Sequence, residues 1–364
     1  MTGADAVPGA LRTIGLAPDG WSVEILDQTA LPHARVVRRI ASVEAMAEAI
    51  AVMRVRGAPL IGASAAYGLC LALREDATDA GLERAMAQLR ATRPTAVNLD
   101  AALARIAAVV RPLEPDARAA CAYAEAATLC TEDSSRNHAI GVHGYAVLRA
   151  LEGGERPVRV LTHCNAGWLA TVAWGTALAP VYVAHADGFP VEVWVSETRP
   201  RTQGVLTAWE LAQAGVPHTV VADNAAGHLL QRGLVDVCLV GTDRTTGTGD
   251  VGNKIGTYLK ALAAREHGVP FYACVPSPSI DWALRRGSDI PIEERDAEEV
   301  RVVRGVTEAG DGDAVRLLPR ETRVANPAFD VTPGRLVTGL ITERGVCAAT
   351  ADGLAELFPE RRGT

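Results

Sequence analysis

Apolar and polar positions along this chain follow two different rhythms. Over 43–50, 63–74, 82–90, 99–110 and 117–130 the apolar residues recur every three to four positions, a spacing that predicts helices. Ser42 stands where it can cap the first of them. Ahead of these, 21–26 and 34–39 are short β-like runs separated by Asp27, Gln28 and Pro32, and they are expected to pair as a small sheet. After Gly153 and Gly154 the rhythm changes. Apolar strands are predicted at 158–162, 192–196, 218–221, 237–240 and 271–275, with helices between them at 168–177, 204–213, 225–231 and 255–266. Such alternation predicts a parallel sheet covered by helices on both faces. The expected α/β organisation is a short antiparallel sheet plus helical bundle over 1–150, then a parallel-sheet unit over 151–364. The chain has no internal repeat, low-complexity block or long charge run, so no disordered tail is expected beyond a few terminal residues.

Composition narrows the class. An apolar fraction of 48% is ample for burial, and 364 residues exceed the usual single core. The net charge of -7 argues against a nucleic-acid partner, which would need clustered cations. The 7 cysteines, at 70, 121, 130, 164, 238, 274 and 347, form no CxxC pair and no zinc-type array, which suggests a reducing compartment and no metal site. The first 12 residues lack the order of a signal peptide, and no apolar run approaches a membrane span. The expectation is a cytoplasmic protein acting on a small molecule, with neither nucleic acid nor membrane as partner.

Chemistry concentrates where strands end. Gly241-Thr242-Asp243-Arg244 and Gly249-Asp250-Val251-Gly252-Asn253-Lys254 place an acid, an amide and a cation in one glycine-rich loop after the strand at 237–240. Asp243 either caps the next turn or, if buried, serves as an acid or base. In Thr162-His163-Cys164-Asn165-Ala166-Gly167, Cys164 precedes the helix predicted from Trp168, whose amides would lower the thiol pKa; the alternative is a buried structural thiol. Iodoacetamide should then label Cys164 ahead of the other cysteines. Arg56 and Gly57, before a helix expected near Pro59, can meet a phosphate, and Arg93 is a second anion ligand or an ordinary loop cation. Gln203 can bind sugar hydroxyls, Glu197 and Arg199 can pair with each other, and His163 and His185 are the histidines nearest these loops.

Taken together, these segments resemble the methylthioribose-1-phosphate isomerases of methionine salvage. That family sits in the superfamily that includes the regulatory subunits of the eukaryotic exchange factor for translation initiation. The resemblance runs from about Leu26 to Gly345 and rests on Arg56-Gly57-Ala58-Pro59, Arg93-Pro94-Thr95-Ala96-Val97-Asn98-Leu99 and the Cys164 segment. It continues in Glu197-Thr198-Arg199-Pro200 with Gln203-Gly204, in the Asp243 loop, in Ile290-Pro291-Ile292-Glu293-Glu294-Arg295 and in Asn326-Pro327-Ala328-Phe329-Asp330. It implies Cys164 and Asp243 as the catalytic pair, and Arg56, Gly57, Ala58, Arg93, Gln203, Asn253 and Lys254 as sugar-phosphate ligands. It further implies that 151–364 is a Rossmann-like catalytic domain, that the protein is a homodimer, and that catalysis needs no metal or cofactor. Where the family shows Ala-Asp-Arg-Ile, this chain has Thr242-Asp243-Arg244-Thr245, a more hydroxylated loop.

The implied reaction is the aldose-ketose isomerisation of 5-methylthioribose 1-phosphate to 5-methylthioribulose 1-phosphate. Because the anomeric oxygen carries the phosphate, the ring cannot open as a free hemiacetal, so Asp243 would protonate the ring oxygen. Cys164 would move the proton from C2 to C1, or would only shape the site for a direct hydride shift. Alternatives are another 5-substituted 5-deoxyribose 1-phosphate, ribose 1,5-bisphosphate, or a noncatalytic subunit that binds a sugar or nucleotide phosphate.

Overall fold

The computed structural model describes residues 12–93, 96–151, 154 and 156–362. The expectations for the extreme termini, for Pro94 and Thr95 and for Gly153 lie outside the described residues. Three short antiparallel strands, Ile14–Leu16, Val23–Leu26 and Val37–Ile40, open the chain. The first was not expected. Ser42 caps Val43–Ala51, its side chain accepting from the Ala45 amide as the sequence predicts. Ala58–Glu75, Asp79–Thr92 and Val97–Val110 follow as helices. Ala58–Glu75 is buried along most of its length, which makes it the hub of the first core.

The last helix of this half, Pro115–Ala150, runs 36 residues, 20 beyond the end expected at 130. Its polar stretch from Thr131 to Asn137 hid the continuation, yet Asp133 and Asn137 are buried and face inward. The helix links two cores. Ala122, Ala126 and Cys130 pack with the helical half, whereas Ile140 and Leu148 pack against the sheet that follows.

That sheet has seven strands in the order Gly345–Cys347, Gly339–Thr342, Phe271–Cys274, Val237–Val240, Val158–Thr162, Val191–Ser196, His218–Val221. All neighbours are parallel except the edge strand Gly345–Cys347. From Val158–Thr162 the chain first builds outward through Val191–Ser196 to His218–Val221, then returns to add Val237–Val240 on the other side. This is the doubly wound Rossmann-like order, in which a crevice opens where the direction of winding reverses. Here the reversal falls between Val158–Thr162 and Val237–Val240.

Two expected elements differ. The helix at 168–177 is only a 3-10 turn, Trp168–Ala170, followed by irregular chain up to the helix Ala179–Ala186. Trp168, Leu169, Val172, Ala173 and Ala177 are all buried, so their apolar character reflects burial on every side and carries no helical period. The glycine-rich segment after 240 forms strands, Arg244–Thr246 and Val251–Lys254, paired antiparallel and extended by Phe329–Thr332 and Ile280–Asp281. A further hairpin, Val302–Val306 with Gly312–Arg316, was not foreseen.

Candidate active site

The carboxyl ends of the two strands flanking the reversal deliver Cys164 and Asp243 to one cavity, beside the amino end of Ala58–Glu75. Arg56, Gly57, Ala58, Arg93, Gln203, Asn253 and Lys254 line the same cavity. It thus brings together every residue singled out as catalytic or ligand-binding, from segments up to 200 positions apart. His163 and His185 are not in its lining.

One corner of the cavity is built by backbone. Gly57 has φ +95°, and a Cβ there would collide with the backbone oxygen of Ala170, so the loop can close against the Trp168–Ala170 turn only with glycine. Gly57 begins Ala58–Glu75 with no side-chain cap, leaving first-turn amides without a capping side chain at the cavity wall. Beside them, the Arg56 guanidinium donates to both the side-chain and backbone oxygens of Asn165, the latter at 2.9 Å.

Cys164 is held in a left-handed conformation, φ +66°. Its amide donates to the Thr198 hydroxyl at 2.8 Å, and its carbonyl accepts from the Thr207 hydroxyl at 2.9 Å. Thr198 itself has φ +65° and lies 3.3 Å from His163 Nδ1, while His163 Nε2 lies 2.8 Å from the Ile255 carbonyl. A non-glycine residue in this region costs about 1–3 kcal/mol, so two in contact mark a backbone that its surroundings over-determine. Burial keeps His163 neutral, its pKa pushed down to about 3 with the Lys260 charge adding to the effect. Through its contacts with Thr198 and Ile255, His163 braces the backbone behind Cys164.

The surroundings of the Cys164 thiol oppose the activation expected from sequence. Burial pushes its pKa up, against the opposing pull of Arg56 and Lys254, and the helix that was to stabilise a thiolate does not form. Asp243 is raised for the same reason: burial outweighs the nearby charges of Lys254, Arg56 and Arg93. Its amide donates to the Gly252 carbonyl at 3.0 Å, which fixes it opposite Asn253 and Lys254 in the hairpin.

The remaining ligands differ in readiness. Gln203 Oε1 is buried without a protein partner, an acceptor set for a hydroxyl. Asn253 donates to Thr257 at 3.0 Å, and the Lys254 ammonium sits 4.5 Å from the Phe329 ring centre. Arg93 is 3.5 Å from Glu293, and its pKa is lowered chiefly by burial. Arg201 and Arg295 also line the cavity but are engaged by Glu299, at 3.0 and 2.6 Å. Met53, Ile61, Val97, Ile290 and Phe329 give the cavity an apolar side. Arg199 donates to the carbonyls of Pro200 and Val300 rather than pairing with Glu197.

Sequence reasoning missed Thr207 and Glu210. On Gln203–Gln213 the buried face carries Gln203, Thr207 and Glu210 at i, i+4 and i+7. Three polar residues on the inward stripe of a helix were the available signal, since a purely structural helix buries apolar side chains there.

Residues 54–349 match the model of the initiation factor 2 subunit family. A methylthioribose-1-phosphate isomerase of Methylobacterium nodulans is 61% identical over 353 residues, covering 96% of this chain and 97% of the relative. Among solved structures, the 5-methylthioribose 1-phosphate isomerase of Pyrococcus horikoshii superposes with a TM-score of 0.84 at 42% identity, covering 96% of each chain. The delta subunit of the translation initiation factor eIF-2B from A. fulgidus superposes with a TM-score of 0.81 at 37% identity, covering 96% of this chain and 99% of the other.

Proposed function

Given that the chain belongs to the initiation factor 2 subunit family and groups there with the methylthioribose-1-phosphate isomerases, we propose that Asp243 and Cys164 carry out its aldose-ketose isomerisation. The substrate is 5-methylthioribose 1-phosphate and the product 5-methylthioribulose 1-phosphate. What supports the assignment is the position of the two side chains at adjacent strand ends on the reversal, both buried and both biased toward their protonated forms.

A protonated Asp243 is what ring opening requires. It gives its proton to the ring oxygen as the C1–O bond breaks, leaving cationic character at C1 that the bridging phosphate oxygen shares. The resulting carboxylate then takes the proton of the C2 hydroxyl as C2 becomes a carbonyl, so Asp243 ends as it began. The hydrogen on C2 moves to C1 by one of two routes. Cys164 can act as proton carrier through an enediolate-like species: its thiolate, formed when its own proton passes to solvent, takes the C2 proton and returns it to C1. Alternatively, the hydrogen can pass directly to C1 as hydride with the thiol forming the wall. Isomerisation in D2O separates them: a carrier thiol admits solvent deuterium at C1, and a direct shift admits none.

Arg56, the amides of Gly57 and Ala58, Arg93 and Lys254 hold the phosphate in this reading, while Gln203 and Asn253 hold ring hydroxyls. The apolar side of the cavity suits the methylthio group. Arg201 and Arg295 are already engaged by carboxylates, so they are poor candidates for the second phosphate of ribose 1,5-bisphosphate. A coupled assay comparing methylthioribose 1-phosphate, 5-deoxyribose 1-phosphate and ribose 1,5-bisphosphate tests this order. Turnover should be best on the first, and preference for the bisphosphate or binding without conversion would overturn it. A homodimer in the cytoplasm is the accompanying expectation from kinship. Among the described residues no helix is long and apolar enough to cross a membrane.

A further inference from the structure

Behind the cavity wall, Glu210 is fully buried on Gln203–Gln213 and belongs to no step of the chemistry above. Its Oε1 accepts from the Asn165 side-chain nitrogen, and its Oε2 lies 3.4 Å from the Leu169 amide. The same Asn165 nitrogen is 3.1 Å from the Thr207 hydroxyl. The other face of the Asn165 amide, its oxygen, accepts from Arg56. Gly167 makes room for the carboxylate, since a Cβ there would run into both Glu210 oxygens.

An asparagine amide can point either way unless its neighbours choose for it. In its ionised form Glu210 only accepts, and a guanidinium only donates, so Glu210 and Arg56 together select a single orientation. We propose that Glu210 is a positioning residue that fixes the Asn165 amide and through it aims Arg56 at the substrate phosphate. The arrangement is a relay of acceptor, amide and donor, and it explains why an acid occupies the inward face of this helix. It also gives Gly167 of the Asn-Ala-Gly segment a defined purpose. The inference rests on the assignment of Arg56 to the phosphate made above.

Glu210→Gln keeps the shape but replaces an obligate acceptor with a group that both donates and accepts, so Asn165 loses its fixed orientation. Because a phosphate contact is made in ground and transition states alike, the loss should appear in KM. Steady-state kinetics on methylthioribose 1-phosphate should show KM raised roughly tenfold, the order expected when one charge-assisted contact is misaimed, with kcat within about threefold of wild type. In an Arg56→Ala background, Glu210→Gln should change KM by less than about twofold, because the relay has nothing left to aim. Equal effects in both backgrounds, or a fall in folded fraction with unchanged KM, would show Glu210 to be merely structural and overturn the proposal. If Arg56→Ala itself left KM unchanged, the phosphate assignment would fail first, and the two failures are therefore distinct.

Discussion

Removing the Arg56 side chain tests the anion corner at its most exposed assumption. Arg56 offers donors to Asn165 and, beside the uncapped start of Ala58–Glu75, is placed to reach a phosphate. A hydrogen bond to a charged group contributes about 1.5–3 kcal/mol, and each 1.4 kcal/mol is about tenfold in affinity, so Arg56→Ala should weaken binding of the ketose phosphate by roughly 10- to 150-fold. A second effect adds to it. Burial pushes the Glu210 carboxyl up to about 7 even with hydrogen bonds and the nearby Arg56 charge drawing it down, so the variant also removes one of the influences that favour the buried carboxylate. Arg56→Lys keeps the charge but loses the planar fork and cannot serve both Asn165 oxygens, which places it between wild type and alanine. Isothermal calorimetry with 5-methylthioribulose 1-phosphate reads the dissociation constants directly, and thermal unfolding of the ligand-free protein reads the second effect. An unchanged dissociation constant for Arg56→Ala would remove Arg56 from the site. Equal affinities for the lysine and arginine forms would refute the fork geometry.

The cysteines and a buried acid give two further expectations. Cys121 is the partly exposed member of the set while Cys164 is buried with a raised pKa, so iodoacetamide at neutral pH should label Cys121 first; peptide mapping that finds Cys164 first would restore the activated thiolate. Burial raises Asp133 from 3.8 to about 6, so its charged form costs the folded state about 3 kcal/mol at pH 8. The folded pKa is the higher one, so this group favours folding below pH 3.8, and the advantage is lost as pH rises through 6. Asp133→Asn should accordingly gain melting temperature relative to wild type at pH 8 and lose that gain by pH 4; a difference independent of pH would contradict the burial argument.

Much of this was legible in the sequence, for physical reasons that also explain the gaps. The strands at 158–162, 218–221 and 237–240 agree residue for residue because short apolar, β-branched runs ended by polar or glycine residues have few other uses. The candidate ligands were visible because charged and amide side chains at the ends of elements, such as Arg56 and Arg93 between helices and Gln203 at a helix start, stand out from the apolar runs that pack the core. The segment from 168 to 177 failed because total burial erases the amphipathic rhythm, while Trp174 and Gly175, at φ +69° and +80°, break the helix. The expectation of a reactive Cys164 had leaned on that helix. The continuation of Pro115–Ala150 past 130 was missed because its buried Asp133 and Asn137 look in sequence like exposed polar residues, and Glu210 was missed although its spacing with Gln203 and Thr207 carried a signal, because its partner is remote. Asn165 stands 45 positions from Glu210, and no local pattern joins them.

The central claim is that Asp243 protonates the ring oxygen and that Cys164 shares the catalytic cavity with it. Initial rates of 5-methylthioribulose 1-phosphate formation from 5-methylthioribose 1-phosphate, measured for wild type, Asp243→Asn and Cys164→Ser with folding checked by thermal unfolding, test it most directly. An amide cannot give the proton that opens the ring, so Asp243→Asn should lower kcat by roughly 100-fold or more, the usual scale of general-acid catalysis, with binding of the ketose phosphate little changed. Cys164→Ser should lower kcat by at least about tenfold. Folded variants that both keep turnover within a few-fold of wild type would contradict the assignment.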